Sequence, residues 1–187
     1  MQLERVRCDW ANSAPEYVAY HDEEWGVPLR GERALFERLS LEAFQSGLSW
    51  LIILRKREAF RAAFANFDVG AVAEFDDADE ARLLADSGIV RNRAKIAATI
   101  GNARAIRTAV PEGIAELLWS YAPAQHVRPG TLAEVPSTSA ESIAMARELK
   151  KRGLKFVGPT TAYALMQATG MVDDHVATCW RARVGPS

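Results

Sequence analysis

The chain has 187 residues, of which 49% are hydrophobic and 25% are charged, and its formal net charge is -1. This length and composition are typical of a globular protein with one large domain or two small lobes around a shared core. No apolar run approaches the roughly 20 residues that a membrane-spanning helix needs, and the N-terminal residues lack the apolar centre of a signal peptide. These features argue against a membrane protein and predict a cytoplasmic location.

Charged residues are segregated along the chain, although the net charge by itself argues weakly against a nucleic-acid partner. Residues 91–107 contain five basic residues and no acid, whereas residues 68–80 contain six acids and no base. Residues 55–61 and 150–155 form two further basic groups. This pattern fits either a basic face that contacts nucleic acid or ordinary solvated helix surfaces, and both interpretations remain open.

Hydrophobic residues recur at helical spacing through most of the chain, and no period-2 pattern is long enough to require a sheet. The sequence therefore predicts an all-α fold. Prolines and a glycine between residues 121 and 136 indicate an extended connection. A short glycine-bounded hairpin at 153–159 ends in Pro159, which suits the first turn of a helix. The predicted helices cover residues 31–46, 49 or 50 to 64, 68–74, 77–86, 91–107, 111–119, 138 or 139 to 152, and 159–169.

Both cysteines and two of the three histidines lie near the ends of the chain. His175 and Cys179 are four residues apart, so on a helix their side chains would share one face. Together with Cys8 and His21 they could form a tetrahedral Cys₂His₂ zinc shell, and four protein ligands would make the metal structural. The spacing is not that of a zinc finger, and two buried thiols beside two polar histidines fit it as well. A Cys8–Cys179 disulfide is a third interpretation, which a reducing cytosol disfavours.

A segment dense in aromatic residues lies between residues 17 and 25, with one tryptophan upstream and another downstream. On a helix Tyr17, Tyr20 and His21 would be neighbours, and Trp25 would lie one turn beyond His21. Tyr and Trp combine a flat apolar face with a hydrogen-bonding edge, which suits a pocket for a planar, cationic base. A purely structural aromatic core is the alternative. The candidate pocket residues are Trp10, Tyr17, Tyr20, Trp25 and Trp50.

Glu42 lies on a predicted helix between the apolar residues Leu41 and Ala43. A carboxylate in such a position usually faces solvent. If Glu42 points into a pocket instead, its charge would be strong in a low dielectric and would suit a cationic ligand or transition state.

Residues 149–162 are predicted to form a helix, a hairpin and a second helix. The turn would expose backbone N–H groups at a helix N-terminus, which favours an anion such as phosphate. Nearby lysines would add charge without reading sequence. Lys155 and Gly158 are the candidate DNA contacts in this segment, which resembles the helix-hairpin-helix element of DNA-repair proteins.

Several blocks of the sequence together resemble the 3-methyladenine DNA glycosylase I (Tag) family. They occur in the order found in that family and cover nearly the whole chain. The blocks are Cys8–Trp10, Tyr20–Pro28, Leu41–Glu42, Gln45–Trp50, Gly88–Lys95, Lys150–Gly158 and Asp174–Cys179.

The resemblance implies an all-α helix-hairpin-helix DNA glycosylase fold with a zinc-binding region that joins the N- and C-termini. One unit would span residues 1–187, with the hairpin near 149–169 and with residues 1–28 and 170–187 held by one structural Zn²⁺. No organic cofactor is implied. The residues that match the zinc ligands of the family are Cys8, His21, His175 and Cys179.

The resemblance also implies roles for the candidate site residues. Glu42 matches the carboxylate that recognises the methylated base, and the five candidate aromatic residues match the surrounding pocket. Gly47 and Leu48 match the loop that probes the DNA at the lesion. Two departures from the family pattern stand out: Phe44 puts the polarity of the pocket in doubt, and Pro159 removes one N–H group that could contact phosphate.

The implied activity is hydrolysis of the N-glycosidic bond that joins 3-methyladenine to deoxyribose in double-stranded alkylated DNA. A flipped, positively charged base is already a good leaving group, so less acid catalysis is needed. The catalytic aspartate of related glycosylases is absent, and Asp173 and Asp174 are expected to support the metal site. No lysine is assignable to a Schiff base, so strand cleavage is not expected.

The expected partner is DNA and not a membrane, and the enzyme is expected to be a monomer in a bacterial-type cytoplasm, at the nucleoid when acting. Two other functional classes remain open. A non-enzymatic helix-hairpin-helix module would bind DNA without a need for Glu42 among aromatic residues. A zinc-stapled protein-interaction domain would have no affinity for DNA.

Overall fold

The structure is a computed structural model and describes residues 5–183. Within that range the chain forms α-helices and short 3₁₀ turns without any strand, which confirms the predicted all-α class. The outermost parts of the termini predicted to be joined by zinc, residues 1–4 and 184–187, lie outside the described residues. The α-helices in that range are α1 (Pro15–Glu23), α2 (Glu32–Gln45), α3 (Trp50–Ala63), α4 (Val69–Ala73), α5 (Asp77–Ala85), α6 (Arg93–Ala109), α7 (Ile114–Trp119), α8 (Ala140–Lys151) and α9 (Pro159–Ala168).

Local capping chemistry sets several helix starts. Asp76 and Asp79 form a reciprocal capping box at α5, and Ser139 and Ser142 form another at α8. The Asp68 side chain accepts a hydrogen bond from the backbone of α4. Each of these side chains satisfies N–H groups that the first helical turn leaves without a partner. The predicted helices are therefore all present, and their ends differ from the prediction by a few residues.

Helix α7 differs most, because it begins at Ile114 and not at residue 111. Gly113 has a φ of +90°, which interrupts the helical path. The carboxylate of Glu32 on α2 accepts hydrogen bonds from the N–H groups of Ile114 and Ala115 at 2.9 and 3.0 Å. A side chain from another helix thus caps α7, and no local sequence pattern could reveal that.

Helix α2 lies at the centre of the core and packs against α3, α6, α7 and α9. Between Leu35 and Phe44 every residue except Glu37 is buried. Two of the buried side chains, Arg38 and Glu42, are ionisable and lie one helical turn apart. Helix α2 therefore carries charge into the interior of the protein.

The segregated charges of the sequence largely neutralise each other. Helix α6 packs against α4 and α5, and the acids of residues 68–80 lie on α5, at its N-cap and at the two ends of α4. Arg93 pairs with Glu80 at 2.5 Å, and Arg107 pairs with Glu74. Arg104 donates to the backbone carbonyls of Ala73, the last residue of α4, and of Phe75. For the segment 91–107 the structure favours ordinary helix surfaces over a free basic face.

The connection between α8 and α9 contains no paired strands and is shaped by a helix C-cap. Gly153 has a φ of +91°, and its N–H donates to the Lys150 carbonyl. The next N–H, that of Leu154, donates to Leu149, which completes a Schellman motif. Asn102 of α6 then holds Lys155 through both its amide oxygen and its amide nitrogen. The predicted hairpin is thus a tight turn that the neighbouring helix α6 fixes in place.

Two predictions about the terminal segments are wrong. Helix α1 ends at Glu23, so Trp25 lies in the following turn, where its N–H donates to the Tyr20 carbonyl. His175 and Cys179 do not share a helix, because the chain from residue 173 to residue 179 is a loop closed by a turn. Gly26, whose φ is +77°, interrupts the helical path after α1. The C-terminal loop makes backbone hydrogen bonds to other segments in place of helical ones.

Gly170 brings the end of α9 against the segment that follows α1. Its φ is +72°, and a Cβ atom at this position would lie 2.6 Å from the backbone nitrogen of Pro28 and 2.7 Å from the Val27 carbonyl carbon. Neither backbone atom can move away without disturbing the fold. A glycine is therefore required at position 170, both because φ is positive and because two backbones approach closely there.

Replacement of Gly170 by alanine should destabilise the fold by more than about 3 kcal/mol, because it combines a positive φ with a backbone clash. Gly101 offers a matched control within α6, since a Cβ atom there would meet nothing within 4 Å. Gly101→Ala should stabilise the protein by about 0.5–1 kcal/mol. Urea unfolding of the two variants measures both effects, and equal stabilities would contradict the argument.

Candidate active site and metal centre

Four buried side chains from the two ends of the chain converge on one point. They are Cys8 before α1, His21 within α1, and His175 and Cys179 in the loop after α9, and their ligand atoms all lie within 4.8 Å of one another. Both cysteines are free thiols, so the disulfide interpretation is wrong. The four predicted ligands therefore form one cluster that joins the N-terminal segment to the C-terminal loop.

The distances within the cluster fit a tetrahedral metal ion. The Cys179 sulfur lies 3.4 Å from Nε2 of His21 and 3.6 Å from Nδ1 of His175, and the Cys8 sulfur lies 3.8 Å from the same Nδ1. Zinc–sulfur bonds of about 2.3 Å and zinc–nitrogen bonds of about 2.0 Å at a tetrahedral angle separate the two ligand atoms by about 3.5 Å. The donor set and its spacing can hold such an ion.

The outer ring nitrogens of both histidines have partners of their own. Nδ1 of His21 lies 2.9 Å from the Asp22 carboxylate, and Nε2 of His175 lies 3.1 Å from the Trp25 carbonyl. Donation from these nitrogens leaves the opposite nitrogen of each ring free to bind a metal. Asp22 is held in turn by two hydrogen bonds from Arg7. The sequence prediction missed Asp22, although a carboxylate next to a histidine ligand is the kind of signal that could have found it.

The predicted role of Asp173 and Asp174 in supporting the metal site is only partly correct. Oδ1 of Asp173 accepts from the backbone N–H of His175, and its other oxygen pairs with Arg128. Asp174 points away from the cluster, because its Oδ2 accepts from Tyr163 and Gln167 of α9 at 2.8 Å each. Asp174 therefore belongs to the wall of a neighbouring cavity.

That cavity has a volume of about 420 Å³ and lies beside the four-residue cluster. All six predicted pocket residues line it, so the structure brings Glu42 and the five aromatic side chains together. Its walls also include residues that the sequence prediction missed. The lining residues are Cys8, Trp10, Ser13, Tyr17, Tyr20, Trp25, Glu42, Gln45, Trp50, Leu132, Val135, Ala164, Gln167, Ala168 and Asp174.

The aromatic side chains of the cavity pack edge to face around Trp10. Its ring lies 5.7 Å from Tyr17 and 5.1 Å from Trp25, with interplanar angles of 87° and 78°. The Tyr17 hydroxyl accepts a hydrogen bond from the Leu51 N–H in the first turn of α3. Nε1 of Trp50 is buried without an acceptor among the described residues. The wall is thus rigid, and it holds one buried donor that a ligand could satisfy.

Glu42 supplies the cavity with a buried carboxyl group. It is 5% exposed, and burial raises its pKa to about 7, although the nearby Arg38 guanidinium opposes this shift. A carboxylate that is so poorly solvated interacts strongly with a cation. Near neutral pH the group can exist in either form, and a positively charged ligand would favour the ionised one.

Arg38 connects the cavity to an ion-pair network that the sequence prediction missed. It donates to the Tyr20 hydroxyl at 3.0 Å and to Glu24 at 3.1 Å, and it lies over the ring of Trp50 at 5.5 Å. Arg57 of α3 binds Glu24 through two further hydrogen bonds. The buried guanidinium is thereby paired, and it fixes the orientation of the Tyr20 phenol.

Phe44, one of the two departures from the family pattern, does not face the cavity. Its ring is fully buried and packs 4.7 Å from Phe60 and 6.0 Å from Phe64. The next residue, Gln45, lines the cavity instead. Phe44 therefore contributes to the core and leaves the polarity of the pocket unchanged.

A groove of about 430 Å³ adjoins the cavity. Its lining includes Gly47 and Leu48, which follow α2, and Thr160 and Thr161 of the first turn of α9. Glu42 is common to the groove and the cavity. Lys155 and Gly158, the other predicted DNA contacts, do not line the groove. Lys155 is exposed in the α8–α9 connection, and Gly158 precedes Pro159 at the N-terminus of α9.

Comparison with known proteins gives this arrangement a family. The chain matches the family described as methyladenine glycosylase over residues 10–182. The chain belongs to the methyladenine glycosylase family. The matched range includes all six predicted cavity residues and the residues that line the groove. It also includes three members of the four-residue cluster; the fourth, Cys8, lies just before it.

Two relatives extend over nearly the whole chain. The DNA-3-methyladenine glycosylase 1 of Escherichia coli (strain K12) is 46% identical over 177 residues, which cover 92% of this chain and 95% of the relative. The DNA-3-methyladenine glycosylase of Haemophilus influenzae is 40% identical, and the alignment covers 93% of this chain and 96% of the relative.

Solved structures of methyladenine glycosylases share the fold. A crystal structure of 3-methyladenine DNA glycosylase I (TAG) superposes on this chain with a TM-score of 0.89 at 45% sequence identity. The aligned region covers 94% of this chain and 98% of the chain in that structure. A structure of the enzyme from Staphylococcus aureus, described as the structural basis of 3-methyladenine recognition, has a TM-score of 0.88 at 32% identity, with 93% and 95% covered. Among the described residues of this family member, no helix combines the length and the apolarity that a bilayer crossing requires.

The raised pKa of Glu42 predicts how stability depends on pH. Because the folded state holds this proton up to about pH 7 and the unfolded chain only to 4.5, stability decreases as the pH rises between these values. Glu42→Gln removes this loss, so the variant should be more stable than the wild type above pH 7 by about 3 kcal/mol. The two proteins should converge as the pH falls below 4.5.

Urea unfolding at several pH values measures this difference. Glu74→Gln is the control, because the hydrogen bond from Arg107 lowers the pKa of that exposed carboxyl group and gives the opposite sign. A Glu42→Gln variant with the same pH dependence as the wild type would show that the Glu42 carboxyl group is not desolvated.

Proposed function

We propose that this member of the methyladenine glycosylase family is a monofunctional DNA glycosylase of base-excision repair, which hydrolyses the N-glycosidic bond of 3-methyladenine in double-stranded alkylated DNA. The observation that carries the proposal is Glu42, a buried carboxyl group in an aromatic cavity beside an open groove. The names of the relatives support the same substrate. A planar, cationic base matches both the aromatic walls and the charge.

The proposed reaction takes place on a flipped nucleotide. The turn that carries Gly47 and Leu48 contacts the DNA where the nucleotide leaves the stack, and Lys155 and the N–H groups beyond Gly158 contact phosphate through a helix-hairpin-helix element. The base then lies among Trp10, Tyr17, Tyr20, Trp25 and Trp50.

Within the cavity Glu42 accepts a hydrogen bond from the base and offsets its positive charge. Methylation at N3 makes the base a good leaving group, so the bond to C1′ breaks without a strong general acid and the base leaves as the neutral molecule. Water adds to C1′ and releases its proton to the solvent. The cavity is lined by no lysine among the described residues, in keeping with hydrolysis and not with a Schiff base.

We also propose that the cluster of Cys8, His21, His175 and Cys179 binds one structural Zn²⁺. The bound ion would hold the four ligands together and take no part in the chemistry, because the four protein ligands fill a tetrahedral shell. Residues 1–28 and 170–187 would then be joined in a single unit of residues 1–187, which acts as a monomer in the cytoplasm and at the nucleoid.

Release of the free base tests the proposed activity. DNA treated with a methylating agent should lose 3-methyladenine to the solution, while its strands stay intact until the abasic sites are cleaved by alkali. Glu42→Gln should reduce kcat/KM by about 10- to 100-fold, because the buried carboxylate stabilises the positive charge of the bound base. For the wild type kcat/KM should increase as the pH rises through about 7, and this dependence should disappear in the variant.

The same assay separates the competing functions. Glu74→Gln, remote from the cavity, should keep full activity. Binding to methylated DNA without release of base would indicate a non-enzymatic DNA-binding module. A protein without any affinity for DNA would indicate an interaction domain, and either result would overturn the proposal.

Metal analysis tests the zinc site. The purified protein should contain about one zinc per chain, and removal by a chelator should lower the melting temperature by about 10 °C or more. The Cys179→Ser variant should bind no metal. A variant in which His126 is replaced should still bind it, because His126 is the histidine outside the cluster. A metal-free protein whose melting temperature is insensitive to chelators would disprove zinc binding.

A further inference from the structure

The chain between α2 and α3 makes a tight turn at the mouth of the groove. The Leu48 N–H donates to the Gln45 carbonyl at 2.7 Å, Ser46 has φ and ψ of -49° and 115°, and Gly47 has a φ of +84°. These values define a type II turn, whose third position requires a positive φ. Leu48, at the end of the turn, is 37% exposed.

A lysine from another helix holds the start of this turn. Nζ of Lys95, in the first turn of α6, donates to the Phe44 carbonyl at 2.9 Å and to the Ser46 carbonyl at 2.5 Å. The backbone N–H of Lys95 is itself bound to Asn92, the N-cap of α6, at 3.1 Å. The ammonium group therefore links the capped start of α6 to the last carbonyls of α2.

This contact joins two complementary helix ends. The last carbonyls of an α-helix lack intrahelical donors and carry partial negative charge, so a cation there is stabilising. Lys95 is 8% exposed, and burial lowers its pKa. A lysine that is desolvated in this way, with backbone carbonyls as its partners, does not serve as a surface contact for phosphate. Its place in the basic segment 91–107 is thus explained by a contact inside the protein.

We infer that Lys95 is a positioning residue for the DNA-probing turn: by binding the Phe44 and Ser46 carbonyls it sets the direction in which Gly47 and Leu48 project over the groove. The inference rests on the proposed function, since it assumes that the turn meets DNA. Glu42 is expected to be less affected, because it lies within the hydrogen-bonded part of α2 and its helical neighbours Leu41 and Phe44 are fully buried.

The inference distinguishes two steps of the proposed reaction. Loss of Lys95 should let the turn adopt other conformations, so that flipping of the nucleotide from the duplex is impaired. Binding of the free base to the cavity should be nearly unchanged. A residue that only stabilises the fold would affect neither step selectively.

Lys56 provides a matched control. Its Nζ donates to the carbonyls of Ser87 and Gly88 at 2.9 and 3.1 Å, so it makes the same kind of contact in a loop that does not line the groove. Lys95→Met and Lys56→Met therefore remove the same chemistry at two places. If Lys95→Met folds poorly, Lys95→Gln, which retains an N–H donor without the charge, replaces it.

The first measurement is hydrogen exchange in the free protein, which does not depend on any activity. A peptide that spans residues 44–50 should exchange faster in Lys95→Met than in the wild type and should be unchanged in Lys56→Met. Unchanged exchange in the Lys95 variant would overturn the inference even if the protein is a glycosylase.

The second measurement is a double-mutant cycle of Lys95→Met with Leu48→Ala. Lys95→Met alone should lower excision from duplex DNA by about 10- to 100-fold, as expected when a contact is misplaced, with less than about a twofold change in free 3-methyladenine binding. In the Leu48→Ala background its effect should largely vanish, because both changes act through the same turn.

Other outcomes of the cycle are equally decisive. Additive effects, or an equal loss of free-base binding, would show that Lys95 does not act through Leu48 and would overturn the inference. Failure of the wild type to release base would refute the proposed function instead, while the exchange data would still decide whether Lys95 holds the turn.

Discussion

The convergence of Cys8, His21, His175 and Cys179 is the constraint on which the rest of the site depends. Two of these side chains come from the beginning of the chain and two from its end, so their convergence joins the two segments. His21 lies on helix α1, whose side chains Tyr17 and Tyr20 line the cavity. The close approach of Gly170 to Val27 and Pro28 secures the same junction from the other side.

Helix α2 brings two opposite charges close to the cavity, but only one of them lines it. Arg38 and Glu42 lie one turn apart on α2, but Arg38 is neutralised by Glu24 and bound to Tyr20, whereas Glu42 faces the cavity. The aromatic walls exclude water and thereby raise the free energy of the Glu42 carboxylate. A cationic ligand bound in the cavity would lower the free energy of the carboxylate again, because it would interact with the charge directly. The arrangement therefore favours a positively charged ligand over a neutral one.

Much of the basic charge that looked suited to nucleic acid is used within the protein. Arginines of helix α6 pair with Glu74 and Glu80 of the acidic segment 68–80, and Lys95 is turned inward to the end of α2. The DNA-binding surface that we propose depends less on a large area of positive charge than on two shaped elements. These are the Gly47–Leu48 turn and the N-terminus of α9. This accounts for a net charge near zero in a protein proposed to bind DNA.

The sequence by itself determined most of the helices and the identity of the metal-ligand and cavity candidates, because helical periodicity and the matched blocks are local properties. Tertiary structure alone decided which of these residues meet. The carboxylate of Glu32 starts α7 from a distant helix, and His175 and Cys179 share a loop where helical spacing suggested a common face. Asp174 turned out to line the cavity, and Arg38, Gln45, Gln167 and Lys95 acquired roles that no spacing could indicate. Such roles depend on the direction of a side chain across a packed interface, and that direction is set by contacts between residues far apart in the chain.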